Sequence, residues 1–323
     1  MSADPAVPDG FADFWAETLA QAAVHPLDPV FTPEATPLTG LRVLDAAFSG
    51  SRGHRISGWL VLPARWTGPI PCVVQFLGYG EGRGHAVDWL LWPAAGYATL
   101  VVDTRGQGGS GLRPGATPDP VGLVHPQVPG FVTRGVLDRY GYYYRDAYVD
   151  AARAVDAARA HPAVDGRRIA VAGCSQGGQL ALAAAALNPL VAAALVESPF
   201  LAAVTGPADL PDQQPYRELL RFCRFHPELA ETALATVAWF DAAAMAGFAH
   251  CPALFALAGR DDRCPPGTGL AAYDRYAGEK SLRTWPLAGH AEPNPYQRLA
   301  EVEFLARVLA DPGPAVPAFW QER

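Results

Sequence analysis

In a chain of 323 residues, the run that most strongly suggests chemistry is Gly173-Cys174-Ser175-Gln176-Gly177. It ends the apolar stretch RIAVAG and opens the alanine-rich stretch QGGQLALAAAAL. A G-x-S-x-G at a strand-to-helix corner forms a tight turn that lifts the serine hydroxyl above a sheet. The plain alternative is a turn whose serine only caps the helix. The pattern alone says little in a chain with 32 glycines; the strand before it and the helix after it give it weight. A serine hydroxyl is a poor nucleophile without a base, and the base needs a carboxylate to orient it. At such corners the three groups follow in the order Ser, Asp or Glu, His. Of the eight histidines, only His226, His250 and His290 come after Ser175. His226 sits in an insertion, and His250 directly precedes the strand-like ALFALAG, at its wrong end. His290, in LAGHAEPNP after the last strand-like run SLRTWP, is the expected base.

For the acid, ALFALAGRDDRCPP ends a strand with Asp261 and Asp262. Asp261 is the expected orienting carboxylate; Asp262 is the expected bystander, and Glu197, at the end of VAAALVE, is the alternative acid. A developing oxyanion needs backbone donors. One is the N–H of Gln176 at the start of the helix. The other is expected in the loop Phe76-Leu77-Gly78-Tyr79-Gly80, at the Tyr79 N–H. The sequence has no G-x-x-x-x-G-K run for phosphates and no His, Asp or Glu cluster at metal-ligand spacing, so neither a metal nor a cofactor is expected. Arg105, in Arg105-Gly106-Gln107, could meet an anionic substrate, but a buried ion pair holding loops is the more ordinary role. Trp89, Trp92 and Tyr142–Tyr144 read as core or interface, with a smaller claim on an acyl pocket.

These groups need a scaffold. Short apolar runs recur at PCVVQF (71–76), YATLVVD (97–103), RIAVAG (168–173), VAAALVE (191–197), ALFALAG (253–259) and SLRTWP (281–286). Runs apolar throughout suit parallel strands buried on both faces. Between two of them, 144–160 carries Tyr148, Ala151, Ala152, Val155 and Ala158 at helical spacing, a crossover helix. LRVLDAAF (41–48) and RISGWLVLP (55–63) read as a hairpin, giving eight strands in all. Residues 10–23 read as an amphipathic helix with Phe11, Phe14, Trp15, Thr18 and Leu19 inward, and 25–39 as a proline-rich connector. Residues 108–143 show no clear period. Residues 198–249 look helical and would sit above the strand ends, where open α/β sheets bind ligands. The expectation is one α/β domain over 1–323: a mostly parallel eight-stranded sheet with helices on both faces.

Half the residues are hydrophobic and 18% are charged, which excludes a disordered chain. A net charge of −7 argues against nucleic acid as a partner. Five widely spaced cysteines, an odd number without a CxxC pair, suit a reducing compartment. The start MSADPAVPDGF lacks a basic-then-apolar leader, and the most alanine-rich stretch, 180–196, is broken by Asn188 and Pro189. The expectation is a cytoplasmic protein without a membrane partner.

The runs FLGYGEGRG, DWLLWPAAGYATLVVDTRGQG, YYYRDAYVDAARAV, GCSQGG, GRDDRCPPGTGLAAY and GHAE together resemble the acetyl xylan esterase and cephalosporin-C deacetylase family, carbohydrate esterase family seven. The likeness spans nearly the whole chain. It implies an α/β-hydrolase fold and serine-dependent removal of acetyl groups from small acetylated sugars or cephalosporin C. It also implies a homohexamer with its sites facing an internal cavity. Ser175, Asp261 and His290 match the family's triad, and Tyr79 and Gln176 its oxyanion pair. The alternatives are another acyl specificity, a peptidase on the same fold, or a degenerate hydrolase that binds without reacting. Two positions depart from the family pattern. Leu77-Gly78-Tyr79 stands where the family reads His-Gly-Tyr, and Ala291 separates His290 from Glu292 where the family reads His-Glu.

Overall fold

A strand that is apolar along its length must be covered on both faces, and this requirement builds the centre of the molecule. The structure, a computed structural model, describes residues 7–120, 129–206, 208, 210–292 and 294–310. Strands β4 (Ile70–Gln75), β5 (Ala98–Val102), β6 (Val164–Cys174), β7 (Val191–Glu197), β8 (Ala253–Ala258) and β9 (Lys280–Trp285) run parallel in the order β5-β4-β6-β7-β8-β9. The hairpin strands β2 (Leu41–Ser49) and β3 (Arg55–Pro63) extend the sheet antiparallel beside β5.

Among the described residues the sheet has nine strands rather than the expected eight. The additional one, β1 (Val30–Glu34), pairs antiparallel with β2 inside the stretch read as a connector. Its sequence, VFTPE, is mostly exposed and includes Pro33, so it shows neither alternation nor an apolar run. Proline is tolerated there because an edge strand pairs on one side only.

Helix α1 (Phe11–Ala23) buries Phe11, Phe14, Trp15, Thr18 and Ala22, with Leu19 only half-buried. Trp15 stacks on Tyr148 of α3 (Tyr143–Arg159) with ring centroids 5.4 Å apart. Helix α3 is the crossover between β5 and β6, and the N-terminal segment covers its outer side. That explains why its charged residues are buried as well. Arg153 donates to the carbonyls of Ser49 (2.6 Å), Ala22 (3.0 Å) and His25 (2.8 Å). Tyr142, Tyr143 and Tyr144 are buried in the main core, as is Trp92 in a second cluster across the sheet. They therefore offer no contact surface to another subunit; the neighbouring residues 121–128 lie outside the described residues.

Between β7 and β8 the chain forms α5 (Tyr216–Phe225), α6 (Ala230–Val237) and α7 (Ala242–Ala246). The span Pro227–Ala246 is long and apolar enough to cross a membrane by length and composition, but it folds into short helices and is mostly buried. The last helix among the described residues, α9 (Pro295–Val308), docks through charge. Arg298 bridges Glu197 at the end of β7 (2.6 Å) and Glu301 (2.7 Å), while Gln297 links Glu301 (3.0 Å) to the Trp285 indole (3.0 Å).

Burial and the adjacent Glu197 carboxylate push Glu301 from 4.5 up to about 8, against the pull of Arg298. Within that window the folded chain keeps a proton that the unfolded chain releases. Stability contributed by this site is therefore highest at low pH and falls as pH rises from 4.5 towards about 8. Glu301→Gln resembles the protonated acid and cannot ionise. It is expected to flatten that part of the Tm-against-pH curve; a variant curve parallel to the wild type across the window contradicts this.

Candidate active site

Every residue singled out for the site lies just beyond the C-terminal end of a parallel strand. Tyr79 follows β4, Ser175 follows β6, Asp261 follows β8 and His290 follows β9. Ser175 is the cap residue before α4 (Gln176–Leu187), with φ 58° and ψ −122°. A non-glycine residue held there costs on the order of 1–3 kcal/mol, so its surroundings must over-determine it. They do so by hydrogen bonds. The Ser175 N–H donates to the Glu197 carbonyl (3.0 Å), and the Ser175 carbonyl accepts from the Phe200 N–H (3.0 Å). The flanking glycines permit the close approach. A Cβ on Gly173 would lie 2.3 Å from the Gly177 oxygen, and one on Gly177 would lie 2.6 Å from the Phe76 oxygen.

Asp261 and His290 meet directly. His290 Nδ1 lies 2.9 and 2.8 Å from the two Asp261 carboxylate oxygens. The loops that carry them are tied by the Gly259 N–H to the Trp285 carbonyl and the Arg260 N–H to the Ala288 carbonyl, both 2.9 Å. Burial alone would raise the Asp261 carboxyl. The bond from His290 and those from the N–H groups of Cys264 (2.7 Å) and Arg263 (3.0 Å) outweigh it and hold the pKa below the usual aspartate value. Ser175 Oγ makes no hydrogen bond to His290 here; its neighbour is Cys264 Sγ at 3.8 Å. Cys264 is buried, and burial together with Asp261 pushes its thiol well up, so it meets the serine as a neutral, small side chain.

The expected donor loop lies against the elbow. The Gln176 side-chain Nε2 donates to the Leu77 carbonyl at 3.4 Å, whereas the backbone N–H groups of Tyr79 and Gln176 have no acceptor among the described residues. The buried side chains beneath are fully engaged. Gln176 and Gln107 exchange two amide bonds (2.9 and 3.1 Å), Tyr144 donates to Gln176 Oε1 (2.9 Å), and Gln107 Oε1 accepts the Gly80 N–H (2.7 Å).

A family model described as acetyl xylan esterase (AXE1) matches residues 2–308. The chain belongs to the acetyl xylan esterase family. It is similar to a solved acetyl xylan esterase from Paenibacillus sp. R4, at 34% identity with a TM-score of 0.86, covering 95% of this chain and 97% of that one. A solved acetyl xylan esterase 1 from Thermoanaerobacterium sp. JW/SL YS485 shares 28% identity with a TM-score of 0.85, covering 96% of each chain. Acetyl esterase Axe7A of Xylanibacter ruminicola is 26% identical over 294 residues, 88% of this chain. The chain spans 63% of the length of that relative. The fold is that of the α/β hydrolases.

Asp262 is exposed and makes no hydrogen bond among the described residues. Glu197 is engaged by Arg298 rather than by a histidine. His226 and His250 are exposed and away from the elbow's partners, His226 lying beside Glu228 (3.8 Å). Arg105 is buried in a two-point ion pair with Asp150 (2.6 and 2.7 Å), the structural role. Trp89 is half-buried, its indole bonded to the Arg83 carbonyl at 2.7 Å. Leu77 is buried at 2% exposure, and Ala291 takes the left-handed conformation with φ 52°. No group of three His, Cys, Asp or Glu is placed to hold a metal among the described residues.

Sequence reasoning missed Cys264, the acceptor role of Gln107 and Glu218. Cys264 lies three residues beyond Asp261, and Gln107 lies in the run Arg105-Gly106-Gln107. Glu218 carried no signal, since it acts across 139 residues of chain.

Asp261→Asn would offer Nδ1 a donor where an acceptor is needed and select the wrong imidazole tautomer. A turnover loss of about 10⁴ is expected, as for comparable triads. Asp262→Asn is expected to retain turnover. Steady-state kinetics on one aryl acetate compares them, and equal rates for both variants would remove Asp261 from the site.

Proposed function

We propose that this protein is a serine esterase that removes acetyl groups from small acetylated substrates, acetylated xylo-oligosaccharides and cephalosporin C among them. The observation that carries the reading is the Asp261–His290 pair, 2.8 Å apart, beside a strained Ser175 elbow. Membership of the acetyl xylan esterase family supports the acetyl group as the one transferred.

In this mechanism the Ser175 hydroxyl turns from Cys264 towards His290 as substrate binds, since catalytic bonds often tighten only in the complex. His290 Nε2 takes the serine proton as Oγ attacks the ester carbonyl carbon. Asp261 holds Nδ1–H and stabilises the imidazolium. The N–H groups of Tyr79 and Gln176 receive the oxyanion, aided by the positive end of α4. Collapse expels the alcohol, which takes its proton from His290. Water, deprotonated by the same imidazole, then attacks the acetyl-enzyme and acetate leaves. A Ser175 only 5% exposed and bounded by Cys264 suits a short acyl chain.

The homohexamer and the cytoplasmic location belong to the same proposal. The family resemblance supports the first and an odd number of dispersed cysteines the second; mass in solution measures the oligomer.

Ser175→Ala is expected to lower turnover by about 10⁶ without unfolding the protein. A fluorophosphonate is expected to label the wild type at Ser175. Across acetylated xylose, cephalosporin C and aryl esters of increasing acyl length, the acetyl esters are expected to turn over fastest. An alanine variant that keeps its rate contradicts the mechanism, and a preference for long acyl chains contradicts the substrate class.

A further inference from the structure

The Tyr79 phenol lies in a hydrogen-bond cluster that the mechanism above does not use. Its hydroxyl donates to Glu218 Oε1 at 2.7 Å and accepts from the N–H groups of Gly130 (3.1 Å) and Phe131 (3.0 Å). Glu218 Oε2 accepts from the N–H of Val132 at 3.1 Å. Those three consecutive N–H groups begin a short 3-10 turn, Phe131–Thr133, and the first donors of a helical turn have no partner within it. Tyr79 and Glu218 supply that partner jointly. The turn is fixed from its other side, where the Tyr142 hydroxyl donates to the Val132 carbonyl at 2.8 Å. The Phe131 ring, fully buried, meets the Tyr79 ring edge-on at 5.8 Å. Glu218 itself comes from α5, in the insertion between β7 and β8.

We infer that Glu218 is a positioning residue for the oxyanion donor, acting through the Tyr79 side chain. This rests on the assignment of the Tyr79 N–H to the oxyanion. Residue 79 is then held at two points. Glu218 grips its phenol, and Gln107 grips the next N–H, that of Gly80. The donor, the Tyr79 N–H, sits one bond before the Cα that bears the gripped phenol and just ahead of the gripped Gly80 peptide. Release of either lets the loop rotate and swings the N–H off the point where charge develops.

The chemistry requires a carboxylate. Both Glu218 oxygens act as acceptors, one to a phenol and one to an amide N–H. A glutamine presents one oxygen and one NH₂, so one orientation sets its NH₂ against the Val132 N–H and the other sets it against a phenol oxygen whose lone pairs already accept the Gly130 and Phe131 N–H groups. Glu218→Gln therefore keeps the size and loses the clamp.

The test uses the full-length enzyme and para-nitrophenyl acetate. Complete loss of an oxyanion donor costs about 10²–10³ in turnover, so a displaced donor is expected to lower kcat roughly tenfold to hundredfold. KM is expected to change little, because the ester's ground state makes the weaker bond. The second readout is trifluoroacetone. Ser175 Oγ adds to its carbonyl carbon, the serine proton passes to His290, and the carbonyl oxygen becomes an oxyanion. Its inhibition constant is expected to rise by the same factor as kcat falls, which a general loosening of the fold does not predict. Tyr79→Phe removes only the phenol oxygen and is expected to give the same signature, with Glu218→Gln adding little in that background. It also serves if Glu218→Gln does not fold. Arg217→Ala, on the exposed side of α5 beside Asp212, is the control and keeps wild-type kcat. Unchanged kcat and trifluoroacetone affinity in a folded variant, with the wild type active and labelled at Ser175, overturn this inference alone. A wild type that resists both label and trifluoroacetone overturns the serine mechanism and this inference with it.

Discussion

One residue has to do what its backbone resists. Ser175 turns the chain from β6 into α4 with φ 58° and ψ −122°, a conformation its Cβ disfavours. The turn survives because the end of β7 grips it on both sides, through the Glu197 carbonyl and the Phe200 N–H. It also needs Gly173 and Gly177 to let strand, helix and the Phe76 carbonyl come within contact. Much of the architecture follows from this. β6 sits between β4 and β7, so the elbow has the 76–80 loop on one side and a strand end that pins it on the other. The next strands along, β8 and β9, deliver Asp261 and His290 from the same edge.

The second constraint is the cost of burying polar groups without partners. Beneath the elbow the Gln107 and Gln176 amides satisfy each other, with Tyr143 and Tyr144 closing the set at 3.0 and 2.9 Å. Beyond them Arg105 and Asp150 form a buried two-point pair, to which the Ser51 N–H also donates at 2.7 Å. These contacts are individually modest. Together they leave the 76–80 loop few alternative positions, because moving it would strand several buried groups at once.

How much of this was legible in the sequence depended on the range over which each signal acts. The elbow is local: five residues, with a strand before and a helix after. The order Ser175, Asp261, His290 needed only chain order and strand ends, and the structure brings the last two into contact. The parallel strands β4 to β8 announced themselves as continuous apolar runs; SLRTWP, read with them, forms the edge strand β9, which has no buried residue. β1 did not announce itself, because an exposed edge strand containing Pro33 has no face to bury. Tyr142–Tyr144 were ambiguous between core and interface because aromatic side chains serve both, and only packing places them inside. The Tyr79–Glu218 contact had no signature at all, since neither residue carries a local mark of a partner so distant in the chain.

These features converge on Ser175 Oγ as the proposed acceptor of the acyl group. Rapid-quench mass spectrometry on the wild type with an aryl acetate measures it directly. Before steady state, the peptide containing Ser175 is predicted to carry one acetyl group, present during turnover and lost when the ester is exhausted. An enzyme that hydrolyses the ester while that peptide stays unmodified, or one that carries the acetyl group on Cys174 or Cys264 instead, contradicts the account.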